Sequence, residues 1–90
     1  MKILAVCGMG LGSGLILKIQ MEKAIKQLGL TADVEVADIS TARALAHQAD
    51  IILTSKELAD RLGDVKAKII TITNYMDIQE MVDKLKEAIA

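Results

Sequence analysis

Short aliphatic segments alternate with helical segments along this chain, and that alternation constrains its fold more than any other feature. The pattern predicts strands, rich in Val, Ile and Leu, at residues 3–6, 33–37, 51–54 and 68–72. Strands that alternate with helices form parallel sheets with helices on both faces. We therefore predict an α/β fold: a single three-layer domain over residues 1–90 whose four parallel strands lie in the order 2-1-3-4.

Apolar residues recur at helical spacing in two longer segments. The first spans residues 13–28 and is followed by Gly29, which favours a helix end. The second spans residues 77–88, where Asp77 and Glu80 have the spacing of a capping box. These two patterns predict the long helices of the domain.

Two shorter helices are predicted between the later strands. Ser40 and Thr41 are candidate caps for the first of them. Ser55 is the candidate cap for the second, and Gly63 follows that segment and favours a helix end.

Composition excludes several classes of function. The net charge is −1, with 11 basic and 12 acidic residues in no long run, which disfavours non-specific nucleic-acid binding. No apolar run approaches the roughly 20 residues of a membrane span, and the N-terminus lacks a signal-peptide pattern. Cys7 is the only cysteine, so no internal disulfide can form, and we expect a reducing, cytoplasmic location.

Cys7 carries the most informative chemistry. It ends the first predicted strand and opens a run of alternating glycines just before the first long helix. A nucleophilic cysteine reacts as the thiolate, which a helix N-terminus and converging backbone N–H groups stabilise. The same donors can hold phosphoryl oxygens, because glycine exposes its backbone without side-chain obstruction. Ser13 can add a hydroxyl donor or cap the helix.

The predicted topology separates site residues from others. Ligands of such sheets bind beyond the carboxyl ends of the strands. Besides the Cys7 loop, the residues predicted at that end of the sheet are 38–41, Thr54, Ser55, Thr73, Asn74 and Tyr75. Capping and turn formation explain Ser55 and Asn74, whereas Tyr75 is a lone aromatic near the rim of the site. His47 precedes a strand, so we place it on the surface at the opposite end and expect no metal site with Cys7.

Four other interpretations of the Cys7 loop stay open. Cys7 could be an inert buried residue beside a tight turn. The loop could hold an anion without reacting, or bind a nucleotide with Asp38 as a ribose-binding acid, although the dinucleotide glycine spacing is absent. A phosphatase of low molecular weight would need an arginine where Ser13 stands, and the only arginines are Arg43 and Arg61.

The strand, the glycine loop and the following helix resemble the IIB component of the bacterial phosphoenolpyruvate-dependent sugar phosphotransferase system. The most similar branch is the ascorbate-type IIB proteins, whose loop reads Cys-Gly-x-Gly-x-Gly-Ser-Ser; Gly14 stands where that pattern has its second serine. Lactose-, galactitol- and mannitol-type IIB proteins use related cysteine loops. The resemblance therefore specifies the component better than it specifies the sugar.

This resemblance implies a phosphocysteine relay. A phosphohistidine on a IIA protein would donate its phosphoryl group to Cys7, which would pass it to a sugar held by the membrane transporter IIC. Cys7 would be the nucleophile, with Ser13 as an auxiliary donor. The backbone N–H groups that would bind the phosphate belong to Gly8, Met9, Gly10, Leu11, Gly12 and Ser13. The protein would need no cofactor and would lie in the cytoplasm, peripheral to the inner membrane through IIC. The side chains of Met9 and Leu11 would either contact these partners or pack under the loop.

Overall fold

Four strands and four helices alternate in the order expected from the sequence. A computed structural model describes residues 1–7 and 11–89, with side chains described for residues 1–7 and 14–89. The strands are β1 (Lys2–Cys7), β2 (Asp33–Asp38), β3 (Ile51–Thr54) and β4 (Lys68–Thr71). The helices are α1 (Leu11–Gln27), α2 (Ile39–Leu45), α3 (Lys56–Leu62) and α4 (Ile78–Ile89), with a 3₁₀ turn at Ala46–Gln48.

The strands form one parallel sheet in the order β2-β1-β3-β4, which confirms the predicted topology. β1 lies between β2 and β3, pairing Ile3 with Val34 on one side and with Ile51 on the other. The strand that ends at Cys7 is therefore an interior strand.

Alternate residues of the strands enter two separate cores, as a parallel sheet covered on both faces requires. The larger core contains Ile3 and Ala5 and packs with α1 and α4 through residues such as Leu17 and Met81. The smaller core holds Leu4 and packs with α2 and α3. The apolar run at residues 3–6 is fully buried because each face of β1 belongs to one of these cores.

Helix ends follow local chemistry, with one correction. Gly29 and Gly63 have φ angles of 69° and 70°, which glycine adopts without a Cβ clash, and each follows its helix as predicted. Ser55 Oγ accepts the Leu58 N–H at 3.4 Å, so its predicted cap is confirmed. The expectation that Ser40 or Thr41 caps α2 is wrong, since Asp38 is the cap and accepts the Thr41 N–H at 2.7 Å.

The predicted capping box of α4 is half formed. Asp77 accepts the Glu80 N–H at 3.1 Å, as expected. The Glu80 carboxylate does not reach back to Asp77, whose own N–H donates to the Asn74 carbonyl at 3.0 Å. Glu80 is therefore available for other donors, which lie in the segment before α4.

Candidate functional site

Cys7 lies at the carboxyl end of β1, the position that the sequence predicted. Its register partner on β2 is Asp38, the last residue of that strand. Sγ lies 4.0 Å from the Ala37 carbonyl oxygen, to which the thiol is a weak donor. The side chain is 7% exposed, so it is more enclosed than the end of a strand beside a glycine turn suggested.

Gly14 encloses the thiol from the side of α1. A Cβ atom built on Gly14 would lie 2.8 Å from Sγ of Cys7 and 2.5 Å from Cγ1 of Val36. Real Cβ atoms do not approach other atoms that closely, so a side chain here would require Val36, Cys7 or α1 to shift. Gly14 stands where the ascorbate-type loop has a serine, and in this structure a Cβ atom at that position has no room unless its neighbours shift.

The helix that follows Cys7 begins earlier than predicted. α1 starts at Leu11, so Leu11, Gly12 and Ser13 form its first turn, and Ser13 is not the residue before the helix that would cap it. The N–H groups of a first turn have no acceptor within their helix and can therefore bind an anion.

The remaining predictions for this loop concern residues or side chains that the structure does not describe. Gly8, Met9 and Gly10 lie outside the described residues, as do the side chains of Leu11 and Ser13. The phosphate-binding role of these residues stays a prediction, and so do the two alternatives for Met9 and Leu11.

Thr54 positions the end of β1. Its Oγ1 donates to the Val6 carbonyl oxygen at 3.0 Å, and its side chain is fully buried. The pairing of β1 with β3 ends at Ala5 and Leu53, so this bond extends the connection to the residue before Cys7. The sequence marked Thr54 as a strand end on the correct side of the sheet but could not show this bond.

The carboxylate of Asp38 caps the N-terminus of α2. The amide of Thr41 donates to it, and this hydrogen bond lowers the pKa of Asp38 below the usual 3.8. A helix cap thus explains Asp38 without a ribose. Asp38 was the residue that suggested nucleotide binding, so its role as a cap removes the support for that interpretation.

Glu80 holds the segment between β4 and α4. Its carboxylate accepts the N–H of Thr73 at 3.1 Å and that of Asn74 at 3.1 Å. It also lies 3.1 Å from Nζ of Lys84. The same Nζ donates a second hydrogen bond, to the carbonyl oxygen of Thr71. The hydrogen bond from Asn74, supported by Thr73 and Lys84, lowers the pKa of Glu80 from 4.5 to about 2 although burial opposes the shift. Sequence analysis assigned Glu80 only to helix capping.

The side chains of this segment have structural contacts. Asn74 Oδ1 accepts the Met76 N–H at 3.0 Å, which confirms the turn-forming role expected for Asn74. Tyr75 is partly buried and packs against the larger core. Met76 is the most exposed of the large apolar side chains described, at 67%.

The basic residues that other chemistries would need lie at the far end of the sheet. His47 is exposed in the 3₁₀ turn before β3, as predicted. Arg43 and Arg61 lie in the last turns of α2 and α3, and Arg43 Nη2 donates to the Arg61 carbonyl at 2.9 Å. Since these helices run back from the carboxyl ends of β2 and β3, neither guanidinium is placed to clamp a phosphoryl group at Cys7.

Among the described residues, no group of three or more His, Cys, Asp or Glu side chains could hold a metal ion. None of the helices in the described part of the chain is long and apolar enough to cross a membrane.

Known proteins resemble this chain over nearly its whole length. Residues 2–87 match the family described as "PTS system, Lactose/Cellobiose specific IIB subunit". The "Ascorbate-specific PTS system EIIB component" of Mycoplasma pneumoniae is 38% identical over 88 residues, covering 97% of this chain and 93% of that protein. The protein of the same description from Salmonella typhimurium is 28% identical over 89 residues, covering 98% of this chain and 88% of that protein.

A solved structure shares the fold. The lactose-specific IIB component domain of the phosphoenolpyruvate:carbohydrate phosphotransferase system from Streptococcus pneumoniae superposes with a TM-score of 0.62. The match covers 99% of this chain and 94% of that chain at 15% sequence identity. At that identity the likeness establishes the architecture alone.

Proposed function

This chain belongs to the IIB family of the sugar phosphotransferase system, and from that premise we propose that Cys7 relays a phosphoryl group from a IIA phosphohistidine to a sugar. Members of the family are phosphotransferases, so the protein is an enzyme of group transfer. The proposal concerns which residue carries the group and between which partners.

Each half of the relay exchanges one bond to phosphorus for another. The Cys7 thiolate attacks the phosphorus of the phosphohistidine, an S–P bond forms, the N–P bond breaks, and the imidazole leaves and takes up a proton. In the second half a sugar hydroxyl attacks the phosphocysteine. The O–P bond forms, the S–P bond breaks, the hydroxyl loses its proton, and the thiolate is regenerated.

The observation that carries the proposal is the position of Sγ. It lies at the carboxyl end of an interior strand, against Gly14 in the N-terminal part of α1. The N-terminal end of a helix favours a thiolate and the negative charge of a bound phosphoryl group. The first-turn amides of Leu11, Gly12 and Ser13 are candidate donors to the phosphoryl oxygens, together with those of the preceding loop.

The placement of the arginines supports a relay over a hydrolase. Efficient hydrolysis of a phosphocysteine needs stabilisation of the transferring group, which phosphatases with such loops obtain from a guanidinium. Arg43 and Arg61 lie on helices that carry them away from Cys7. A phosphocysteine formed here would therefore persist until an acceptor arrives.

The names of the relatives support a proposal for the partners and the sugar. The donor would be a IIA protein or domain, and the acceptor sugar would be held by a membrane IIC transporter at which this protein docks from the cytoplasm. Relatives up to 38% identical are named ascorbate-specific, which favours ascorbate as the sugar. The family description and the solved structure instead name lactose or cellobiose, so the sugar requires its own experiment.

The first experiment measures intact protein mass after incubation with phosphoenolpyruvate, the general phosphotransferase proteins and a IIA protein. We expect one added phosphoryl group on the native chain and none on Cys7→Ser. Addition to both proteins would place the site elsewhere and refute the mechanism. An alkylation control with iodoacetamide on the native chain shows that the thiol is reduced before the assay.

A second experiment identifies the sugar. Membrane vesicles that contain the cognate IIC transporter are given the phosphorylated protein and either ascorbate, lactose or cellobiose. We expect loss of the phosphoryl group from Cys7 only with ascorbate, read again from the intact mass. Discharge by lactose or cellobiose alone would assign the protein to that sugar.

A further inference from the structure

The backbone of Thr54 is held on the side away from β1. Thr54 is the last residue of β3, and its register partner on β4 is Thr71. Its carbonyl oxygen accepts the N–H of Ile72, which follows β4, at 2.9 Å. The next residue, Ser55, caps α3. The position of Thr54 is therefore fixed by β4 and α3, independently of Cys7.

The side chain of Thr54 reaches in the other direction, to β1. Oγ1 donates to the carbonyl oxygen of Val6 at 3.0 Å, and both residues are fully buried. A buried carbonyl that loses its donor is costly, so this bond has a strong tendency to stay formed. Threonine is branched at Cβ, which leaves its side chain few rotamers and gives the hydroxyl a defined direction.

The carbonyl that accepts this bond is part of the peptide group that leads to the thiol. The Val6 carbonyl, the Cys7 N–H and the Cys7 Cα lie in one plane, so a rotation of the carbonyl also moves the atom that carries the thiol side chain. On the opposite side of β1, Cys7 is paired with Asp38 of β2. The peptide is thus held from both neighbouring strands, by strand pairing on one side and by a hydroxyl on the other.

The hydroxyl acts at the end of the strand and little elsewhere. Residues 3–5 are paired with both β2 and β3, and this pairing does not depend on the Thr54 side chain. Beyond Ala5 the pairing with β3 stops. Loss of the hydroxyl therefore frees the peptide between Val6 and Cys7 on the β3 side, while the rest of the sheet stays paired.

We propose that Thr54 is a positioning residue for phosphoryl transfer, whose hydroxyl holds the Cys7 thiol in its direction of attack through the Val6 carbonyl. This inference rests on the proposed function. Phosphoryl transfer requires the attacking and leaving atoms to lie roughly in line with phosphorus. Sγ is only 7% exposed, so a donor can approach it from few directions and the direction of the thiol matters. Thr54 is itself fully buried and acts through the backbone.

The test compares variants of Thr54 that lack the hydroxyl with one that keeps it. Thr54→Val removes the donor but keeps the branched shape, Thr54→Ala removes the donor with less bulk, and Thr54→Ser keeps the donor. The control is Ile70→Val, which removes one methyl group from a buried residue of β4 and destabilises the sheet away from Cys7. Urea unfolding measures the stability of each variant, and transfer is assayed where all of them are folded.

The rate of transfer to Cys7 from phosphorylated IIA is measured by intact mass in single turnovers at a series of IIA concentrations. The maximal rate reports the transfer within the complex, and the half-saturating concentration reports docking. We expect Thr54→Val and Thr54→Ala to lower the maximal rate about tenfold, because a misplacement of about 1 Å costs up to about 100-fold. The half-saturating concentration should stay within about twofold, as should both quantities in Thr54→Ser and Ile70→Val.

NMR of the unphosphorylated proteins locates the structural change. Loss of the hydroxyl should shift the carbonyl carbon of Val6 and the amide of Cys7 in Thr54→Val and Thr54→Ala. The amides of residues 78–89 in α4 should stay at their native positions, which shows that the fold is kept. In Thr54→Ser the Val6 and Cys7 resonances should lie close to those of the native protein.

The outcomes separate this inference from the proposed function. A native maximal rate in Thr54→Val and Thr54→Ala would overturn the positioning role and leave the relay intact. An equal loss of rate in Ile70→Val would assign the effect to general destabilisation, and a change in the half-saturating concentration alone would assign it to docking; either would overturn the inference. Native protein that accepts no phosphoryl group on Cys7 would refute the relay itself, and the inference with it.

Discussion

Sγ of Cys7 and the backbone of Gly14 are so close that a Cβ atom on Gly14 would lie 2.8 Å from the sulfur. The candidate nucleophile and the helix after it are therefore packed directly against each other, with no side chain between them. The distance between β1 and the first half of α1 depends on this glycine.

Replacing Gly14 by alanine tests that dependence. Alanine favours a helix interior by about 1 kcal/mol relative to glycine, but overpacking costs about 1 to 3 kcal/mol. We expect Gly14→Ala to lower the free energy of unfolding by about 1 kcal/mol in urea titrations. The nearer clash is with Val36 Cγ1 at 2.5 Å, so Val36→Ala should cost less in the Gly14→Ala background than in the native protein. If the costs of Gly14→Ala and Val36→Ala were simply additive, the contact with Val36 would have been relieved by a movement of α1 away from the sheet without strain.

Thr54 offers a test of how the end of β1 is fixed. Thr54→Val keeps the shape of the side chain but leaves the buried Val6 carbonyl without its hydroxyl donor. We expect a loss of about 1 to 3 kcal/mol in the free energy of unfolding. Thr54→Ser keeps the hydroxyl and removes only a methyl group, so it should cost less than Thr54→Val; a Thr54→Val protein as stable as the native one would show that the hydrogen bond does not stabilise the domain.

Glu80 predicts a specific pH dependence. Its pKa is about 2 in the folded protein against 4.5 ordinarily, so its stabilising contribution is present above pH 4.5 and is lost as the pH falls towards 2. Glu80→Gln should reduce the free energy of unfolding at pH 7 by about 1 to 2 kcal/mol and should flatten the loss of stability below pH 4.5. Urea titrations from pH 7 to pH 2.5 measure both effects. The control is Glu87→Gln, an exposed glutamate of the same helix, and an equal effect there would contradict the role of Glu80.

The two helix caps at the carboxyl end of the sheet should differ in strength. Asp38 accepts the Thr41 amide at 2.7 Å with a charged oxygen, whereas Ser55 accepts the Leu58 amide at 3.4 Å with a neutral one. We expect Asp38→Ala to lower the free energy of unfolding and Ser55→Ala to lower it less. Asp38→Asn should retain most of the cap. Equal losses for Asp38→Asn and Asp38→Ala would show that the charge, and not the hydrogen bond, stabilises α2.

The fold could be predicted from sequence because its signals are local. Aliphatic runs, Gly29 and Gly63 mark strands and helix ends within a few residues, and strict alternation leaves few topologies for a parallel sheet. The wrong prediction for the cap of α2 also has a local cause. Asp38 and Thr41 both suit a cap, and only the exact turn after β2 decides which of them accepts the hydrogen bond.

The site could be predicted only as far as position along a strand determines it. Cys7 lies where expected, but Gly14, Thr54 and Glu80 act through contacts between segments distant in sequence. One missed feature did leave a signal in the sequence. Leu15 and Ile19 fall on the helical side opposite Leu17 and could have been recognised there as apolar residues facing solvent.

The interior position of β1 has a consequence for amide hydrogen exchange. An edge strand can detach by losing one neighbour, but β1 is bonded to strands on both sides. Local opening is easiest at edges and termini and hardest in such central elements. The amides of residues 3–6 should therefore exchange in the slowest class, at the rate of global unfolding, and the strand that carries Cys7 keeps its place for as long as the domain stays folded.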